Sequence, residues 1–255
     1  MKIATWNVNS IKARLSHVLD YLAGERPDVL LLQETKCLEG DFPQLEIQAA
    51  GYHSVVAGQK SYNGVAILAR TPIDLVANRL PGDAEDTQAR CLDARIDGTR
   101  IASIYLPNGN PVDTEKYAYK LAWMARLERH AAALLSAGDA IVLGGDYNVI
   151  PSADDVYDPA DWIDDALWRL ETRRAFRRIL WHGFTDAFRA LNTQPHQYSF
   201  WDYQAGRWPR NEGIRIDHLL LSPQAADRLV ESGIDRVPRG RERASDHTPV
   251  WCRLA

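Results

Sequence analysis

DVLLLQE, residues 28–34, is an apolar run that ends on a carboxylate. A strand with one wet face alternates apolar and polar residues, whereas Leu30, Leu31 and Leu32 leave no polar face. Such a strand is buried on both sides, as in a sheet covered by further layers. Working outward from it, strand-like runs recur with turn signals between them. They are KIATWNV (2–8), YHSVVAG (52–58), GVAILAR (64–70), CLDARID (91–97), RIASIYL (100–106), AIVLGGDYN (140–148), YSFWDY (198–203), RIDHLLL (215–221) and TPVWCRL (248–254). Helical periodicity is rarer. Residues 10–23 place Ile11, Leu15, Val18, Leu19 and Leu22 on one face, and residues 114–137 do the same with Tyr117, Leu121, Met124, Leu127 and Leu134. Shorter helices are expected over 171–181 and 223–232, the second opened by Ser222 as N-cap and Pro223 behind it. Many strands joined mostly by turns, with several helices between, predict an α/β protein of mixed sheets covered by helices. No Gly-, Ser- or Pro-rich linker divides the chain, so 1–255 reads as one domain.

The composition is that of an ordinary globular protein, 45% hydrophobic, with no apolar run long enough to span a membrane. No signal-peptide core precedes the first strand, which suggests a cytoplasmic protein. Cys37, Cys91 and Cys252 are three and widely spaced, which fits neither a disulfide framework nor a zinc knuckle. The net charge of -4 speaks mildly against a nucleic-acid binder, but the charge is uneven. Asp154, Asp155, Asp158, Asp161, Asp164 and Asp165 crowd one segment, which reads as a solvated surface because it lacks the spacing of a calcium loop. Arginines gather at 169–178 and 207–243, enough for a local basic face.

Polar residues collect where strands leave the core. GGDYN (144–148) places Asp146 and Asn148 on one side of a strand end, and TWNVNS (5–10) does so with Asn7 and Asn9. Glu34 leaves its buried strand either to pair with a cation such as Lys36 or to bind a metal. In GIRIDHLLLS (213–222), Asp217 shares an apolar face and needs a partner. His218 faces away, so His247 of SDHTPVW is the better candidate, held in one tautomer by Asp217 and leaving Asp246 free. Tyr105 ends a strand before a Pro-Asn-Gly turn, where a phenol can pack or donate to an anion. Oxygen donors dominate this set, which suits magnesium or manganese rather than zinc. No P-loop and no GxSxG elbow is present, so hydrolysis of a phosphate ester with a hard metal is the chemistry these residue types favour.

The ordered motifs TWNVNSIKAR, LLQETK, IYLPNGN, GGDYNVIP, RIDHLLLS and SDHTPVW resemble those of the exonuclease III family of abasic-site endonucleases, within the DNase I-like superfamily. The resemblance runs from Met1 to Ala255. It implies a four-layer α/β sandwich of two packed mixed sheets with helices outside. It also implies a magnesium-dependent, or manganese-dependent, repair nuclease that cuts duplex DNA 5′ to abasic sites and trims or cleans 3′ ends, acting as a monomer. Glu34 matches the principal metal ligand, with Asn7 and Asp246 helping to hold the metal or its waters, and Asp146, Asn148 and His247 completing the expected metal site. Asp146 matches the residue that activates water, with His247 as the alternative base, Asn148 the one that orients it, and His247 and Tyr105 the contacts to the scissile phosphate. Phe200 and Trp201 resemble the pocket for a flipped sugar. Arg14, Lys36, Lys116, Lys120, Arg210, Asn211 and Arg215 become candidate backbone contacts. Asn9 and Ile214 are DNA-side candidates that depart from the pattern: Asn9 stands where some members have Asp, which bears on hydrogen bonding around the metal, and Ile214 where some have Trp, which bears on the tightness of the pocket. The rival readings are a phosphatase of the same fold acting on inositol phosphates or phospholipid headgroups, and a catalytically silent DNA-binding module.

Overall fold

The computed structural model describes residues 1–255. Twelve strands form in chain order: β1 (Lys2–Asn7), β2 (Val29–Gln33), β3 (His53–Ala57), β4 (Val65–Ala69), β5 (Asp74–Ala77), β6 (Cys91–Ile96), β7 (Thr99–Tyr105), β8 (Ile141–Asp146), β9 (Thr185–Asp186), β10 (Asp217–Leu221), β11 (Leu229–Ile234) and β12 (Val250–Leu254). The longer helices are α1 (Ile11–Glu25), α2 (Gln44–Ala49), α3 (Glu115–Leu135) and α4 (Leu170–Trp181). Single turns α5 (Ala187–Leu191), α6 (Arg207–Arg210) and α7 (Pro223–Ala226) follow.

The strands make two six-stranded sheets, ordered β11-β12-β1-β2-β4-β3 and β5-β6-β7-β8-β10-β9. Each is mixed, with one parallel pair apiece: β1 with β2, and β7 with β8. β2 is buried at every position, as its leucines required. Its alternate residues face different cores. Leu31 joins Ile3, Ile67, Val142 and Leu219 between the sheets. Leu30 and Leu32 join Trp6, Val18, Leu22 and Ile47 under α1 and α2. A third cluster packs Trp123, Met124 and Leu127 of α3 and Phe176 and Ile179 of α4 on the outer face of the second sheet. The layers are therefore helix, sheet, sheet, helix. Gly144 sets the spacing between the sheets, because a Cβ there would lie 2.5 Å from Leu31 Cδ1 and 2.6 Å from Leu219 Cδ2.

Three expectations about local structure need correction. YSFWDY is no strand: it contributes only bridges from Phe200 to Ile214 and to His247, since Asp202 and Tyr203 turn outward into solvent. The helix expected over 223–232 stops at Ala226, and Leu229–Ile234 instead pairs with β12. Ser222 stands at the N-cap with Pro223 behind it, but its hydroxyl accepts from Ile141 N–H and donates to Asp139 O rather than capping the turn. The acidic run is not wholly solvated either. Asp155 is buried and pairs with Arg189 and Arg215.

Candidate active site

Strand ends from both sheets meet at one edge. β1 ends on Asn7, β2 delivers Glu34, β7 ends on Tyr105 and β8 on Asp146. β10 begins at Asp217, the Cα partner of Asp146 in the antiparallel ladder. His247 enters on the segment before β12. Asn7 Nδ2 donates to Glu34 Oε1 at 2.8 Å and to Asp146 Oδ2 at 2.9 Å, so one amide joins carboxylates from two sheets. His247 Nδ1 donates to Asp217 Oδ2 at 2.9 Å, and its Nε2 lies 3.7 Å from Asp146 Oδ2. Ser199 Oγ donates to the same Asp217 oxygen at 2.6 Å. The Phe200 ring packs edge-on against the imidazole, 4.9 Å between centroids.

Burial and neighbouring charge divide the roles of these groups. Burial pushes Asp146 up to about 7, while His247 pulls it back and Asp217 adds to the rise. For His247, burial alone would lower the pKa, but Asp217 and Asp146 outweigh it and raise it to about 10. The imidazole is therefore a cation held by two acids. Burial works against ionisation of Glu34 as well, yet Lys36 and the Asn7 amide outweigh it and hold its carboxyl below the usual value. Lys36 Nζ sits 2.9 Å from Glu34 Oε2, so the salt-bridge reading of Glu34 is realised here. Burial, Glu34 and Asp146 together raise Tyr105 well above its ordinary value, which keeps it a phenol. The Arg90 guanidinium lies 4.8 Å from the Tyr105 ring centre.

Ligand atoms of Glu34, Asp146 and His247 lie within 4.8 Å of one another. Two converging carboxylates suit a hard divalent cation. A doubly protonated imidazole has no lone pair to give, so His247 in this state is a donor and not a ligand. Asn7, Asp246 and Asn148 surround this trio. Asn7 turns its nitrogen to the carboxylates while its oxygen accepts from Asn9 N–H. Asp246 accepts from Asn9 Nδ2 at 3.1 Å. Asn148 N–H donates to Asp146 Oδ1 at 2.9 Å, its Nδ2 to Leu106 O at 2.9 Å, and its Oδ1 accepts from Asn108 at 3.2 Å. Backbone strain concentrates here: Asn9, Ser10, Glu34, Lys36 and Asn148 all have positive φ. Such conformations persist only where surroundings enforce them, and they gather at functional sites.

The DNA-side residues divide sharply. Phe200 and Ile214 line a cavity of about 180 Å³ together with Tyr157, Trp162 and Arg207. Trp201 is fully buried behind Phe200, its Nε1 donating to Asn211. Arg14 bonds the carbonyls of Arg243 and Ala244 and the hydroxyl of Tyr203. Arg210 is exposed and pairs with Glu212, and Lys116 is exposed on the first turn of α3. Two expected backbone contacts do not fit. Arg215 has no exposed surface and is locked between Asp155 and Asp186 at 2.7 and 2.8 Å. Lys120 is equally buried, because the 107–109 turn closes over it. A larger hollow of about 510 Å³, lined by Gln44, Gln48 and His53, lies at α2 and β3 away from these strand ends. Sequence reading missed Ser199, whose hydroxyl donates to Asp217 Oδ2 at 2.6 Å beside His247. It also missed Asn108, whose only signal was its place in the Pro-Asn-Gly turn.

A two-sheet sandwich with carboxylates, amides and an Asp-paired histidine at its strand ends defines a class, that of metal-assisted phosphoester hydrolases. The profile of the Endonuclease/Exonuclease/phosphatase family matches residues 4–247, and the chain belongs to that family, in its exonuclease III and AP endonuclease branch. It is 31% identical over 266 residues to exodeoxyribonuclease III of Haemophilus influenzae, covering 100% of both chains. An AP endonuclease from Archaeoglobus fulgidus superposes with TM-score 0.96 at 36% identity, covering 100% of this chain and 99% of that one. The 3′ phosphatase NExo from Neisseria, solved bound to a product DNA hairpin, superposes with TM-score 0.97 at 38% identity over 100% and 99% of the chains.

Proposed function

We propose that the chain is a magnesium- or manganese-dependent DNA repair phosphodiesterase of one catalytic domain, acting as a monomer on duplex DNA. It incises 5′ to abasic sites and removes nucleotides or phosphates from 3′ ends. The observation that carries this reading is the pair of carboxylates, Glu34 and Asp146, bridged by Asn7 and faced by the Asp217-held His247. The names of the relatives support both halves of it, because they include an exodeoxyribonuclease, an AP endonuclease and a 3′ phosphatase.

Glu34 and Asp146 would hold the cation, which supplies charge neutralisation to the phosphoryl oxygens. Asp146, tied to Asn148 N–H through one oxygen and 3.7 Å from His247 Nε2 through the other, is placed to take the proton of an attacking water. His247 carries an Nε2 proton toward the place where phosphoryl charge develops, and Asp217 fixes the ring. Tyr105, kept protonated, offers a second donor. Asn148, tied to Asp146 through its own N–H, orients the water. In-line attack at an abasic site then leaves a 3′-hydroxyl and a 5′-deoxyribose phosphate. The cavity behind Phe200 and Ile214 is small and apolar on one wall, which suits a sugar lacking its base.

The test uses two labelled duplexes, one with a tetrahydrofuran abasic analogue and one nicked with a 3′-phosphate, each with magnesium and with EDTA. Metal-dependent incision 5′ of the analogue supports the endonuclease half, and phosphate release supports the end-cleaning half. Turnover of an inositol phosphate with neither duplex cut refutes the proposal.

A further inference from the structure

We infer that Lys120, which reaches no solvent, is a positioning residue that sets the place of Asn148, and not a contact to DNA. Its Nζ donates to three backbone carbonyls: Pro107 O at 3.1 Å, Asn108 O at 3.0 Å and Asn148 O at 2.6 Å. These three bonds reach across two loops that the backbone ladder joins only at their start, through Leu106 N–H to Asp146 O. One loop follows β7 and the other follows β8. The first also supplies both partners of the Asn148 carboxamide, Leu106 O and Asn108 Nδ2. Lys120 therefore fixes the distance between the Asn148 backbone and the two groups that hold its side chain.

The surroundings are shaped around this lysine. A Cβ on Gly109, which has φ +90°, would lie 2.6 Å from Lys120 Cδ, so only glycine lets the turn close over the stem. On the other side of Asn148, the neighbouring Val149 O is bonded by the buried His218 Nε2 at 3.1 Å. The strained Asn148 backbone is thus gripped by buried donors on consecutive carbonyls. A phosphate contact would need the ammonium at the surface, and nothing of it is there.

The inference rests on the proposed role of Asn148 in turnover, and the test separates the two. In a steady-state cycle, Lys120→Met lowers kcat by roughly 10- to 100-fold, the range for groups that orient site residues, with KM little changed. In an Asn148→Ala background the same change costs less than about twofold, since the residue it positions is gone. Lys120→Arg keeps charge and donors and recovers part of the loss; it is also the variant for the cycle should Lys120→Met fail to fold. The slope of log Kd against log salt stays as in wild type. A slope reduced by about 0.9 would make Lys120 a phosphate contact instead. Equal kcat losses in both backgrounds would make it a general structural residue. A readout independent of cleavage is the side-chain amide resonance of Asn148 in labelled protein. It moves in Lys120→Met whether or not the chain cuts DNA, and an unmoved resonance overturns the inference.

Discussion

Replacing Asp217 with Asn isolates what the acid does for His247. In the structure Asp217 is the largest influence raising the imidazole pKa against burial, from the ordinary 6.5 to about 10. At pH 7.5 a group with a pKa near 10 is more than about 99% protonated, whereas one at 6.5 is about 10% protonated. Loss of the Asp217 charge removes the largest influence holding the proton against burial, with Asp146 still opposing it, so the imidazolium population falls, by about tenfold for a ring returned to its ordinary value. The Asn side chain also presents an N–H to Nδ1, which transfers the remaining ring proton to Nε2 and loosens the ring. Such loss of orientation adds about 10- to 100-fold. The expected fall in single-turnover rate at pH 7.5 is roughly 100- to 1000-fold, with DNA affinity changed little. The pH dependence is the sharper signature. Wild-type His247 keeps its proton to about pH 10, so the variant alone loses rate as pH rises through a pKa well below 10 and regains part of it at lower pH. Parallel pH–rate profiles for the two proteins, or a variant within threefold of wild type, would refute the Asp217–His247 argument.

Three further outcomes concern the frame around the site. Burial first, and Arg215 second, lower His218 to about 4. The unfolded histidine takes its proton near pH 6.5 and the folded one does not, so stability is lost as pH falls from 6.5 to 4, by roughly 3 kcal/mol. His218→Gln flattens that slope in urea titrations run across this window. Arg215→Met leaves Asp155 and Asp186 without their buried partner and destabilises by about 3–5 kcal/mol, while the salt dependence of DNA binding stays the same. A reduced salt slope would restore Arg215 as a DNA contact. Gly144→Ala wedges a methyl between Leu31 and Leu219 and costs about 1–3 kcal/mol in thermal melts.

Periodicity carried most of the fold because the signals were local. Three leucines in β2, the turn signals between strand-like runs and the amphipathic face of α3 are properties of short windows. β5 escaped because it is an exposed edge strand of four residues with no buried face. β11 escaped because a Ser-Pro helix start masked a strand that only its partner β12 defines. At the site, Asp146, Asn148, Asp217 and His247 stood out as polar residues at the ends of apolar runs. That Asn7 would join Glu34 to Asp146 across two sheets was not legible, since it depends on how the sheets pack. Charge misled for the same reason. Lys120 and Arg215 look like any exposed cation in a sequence, and only the fold gives them carbonyls and carboxylates to serve.

The central claim is that DNA phosphoester hydrolysis takes place at Asp146 with a divalent cation beside it. The most direct measurement is single-turnover cleavage of the abasic-analogue duplex by wild type and by Asp146→Asn, with magnesium and with EDTA, alongside the Kd of each protein for that duplex. The account predicts cleavage by wild type in magnesium only, a rate at least about 1000-fold lower in Asp146→Asn, and similar Kd values for both. Cleavage by wild type in EDTA, or by the variant at a wild-type rate, would contradict it.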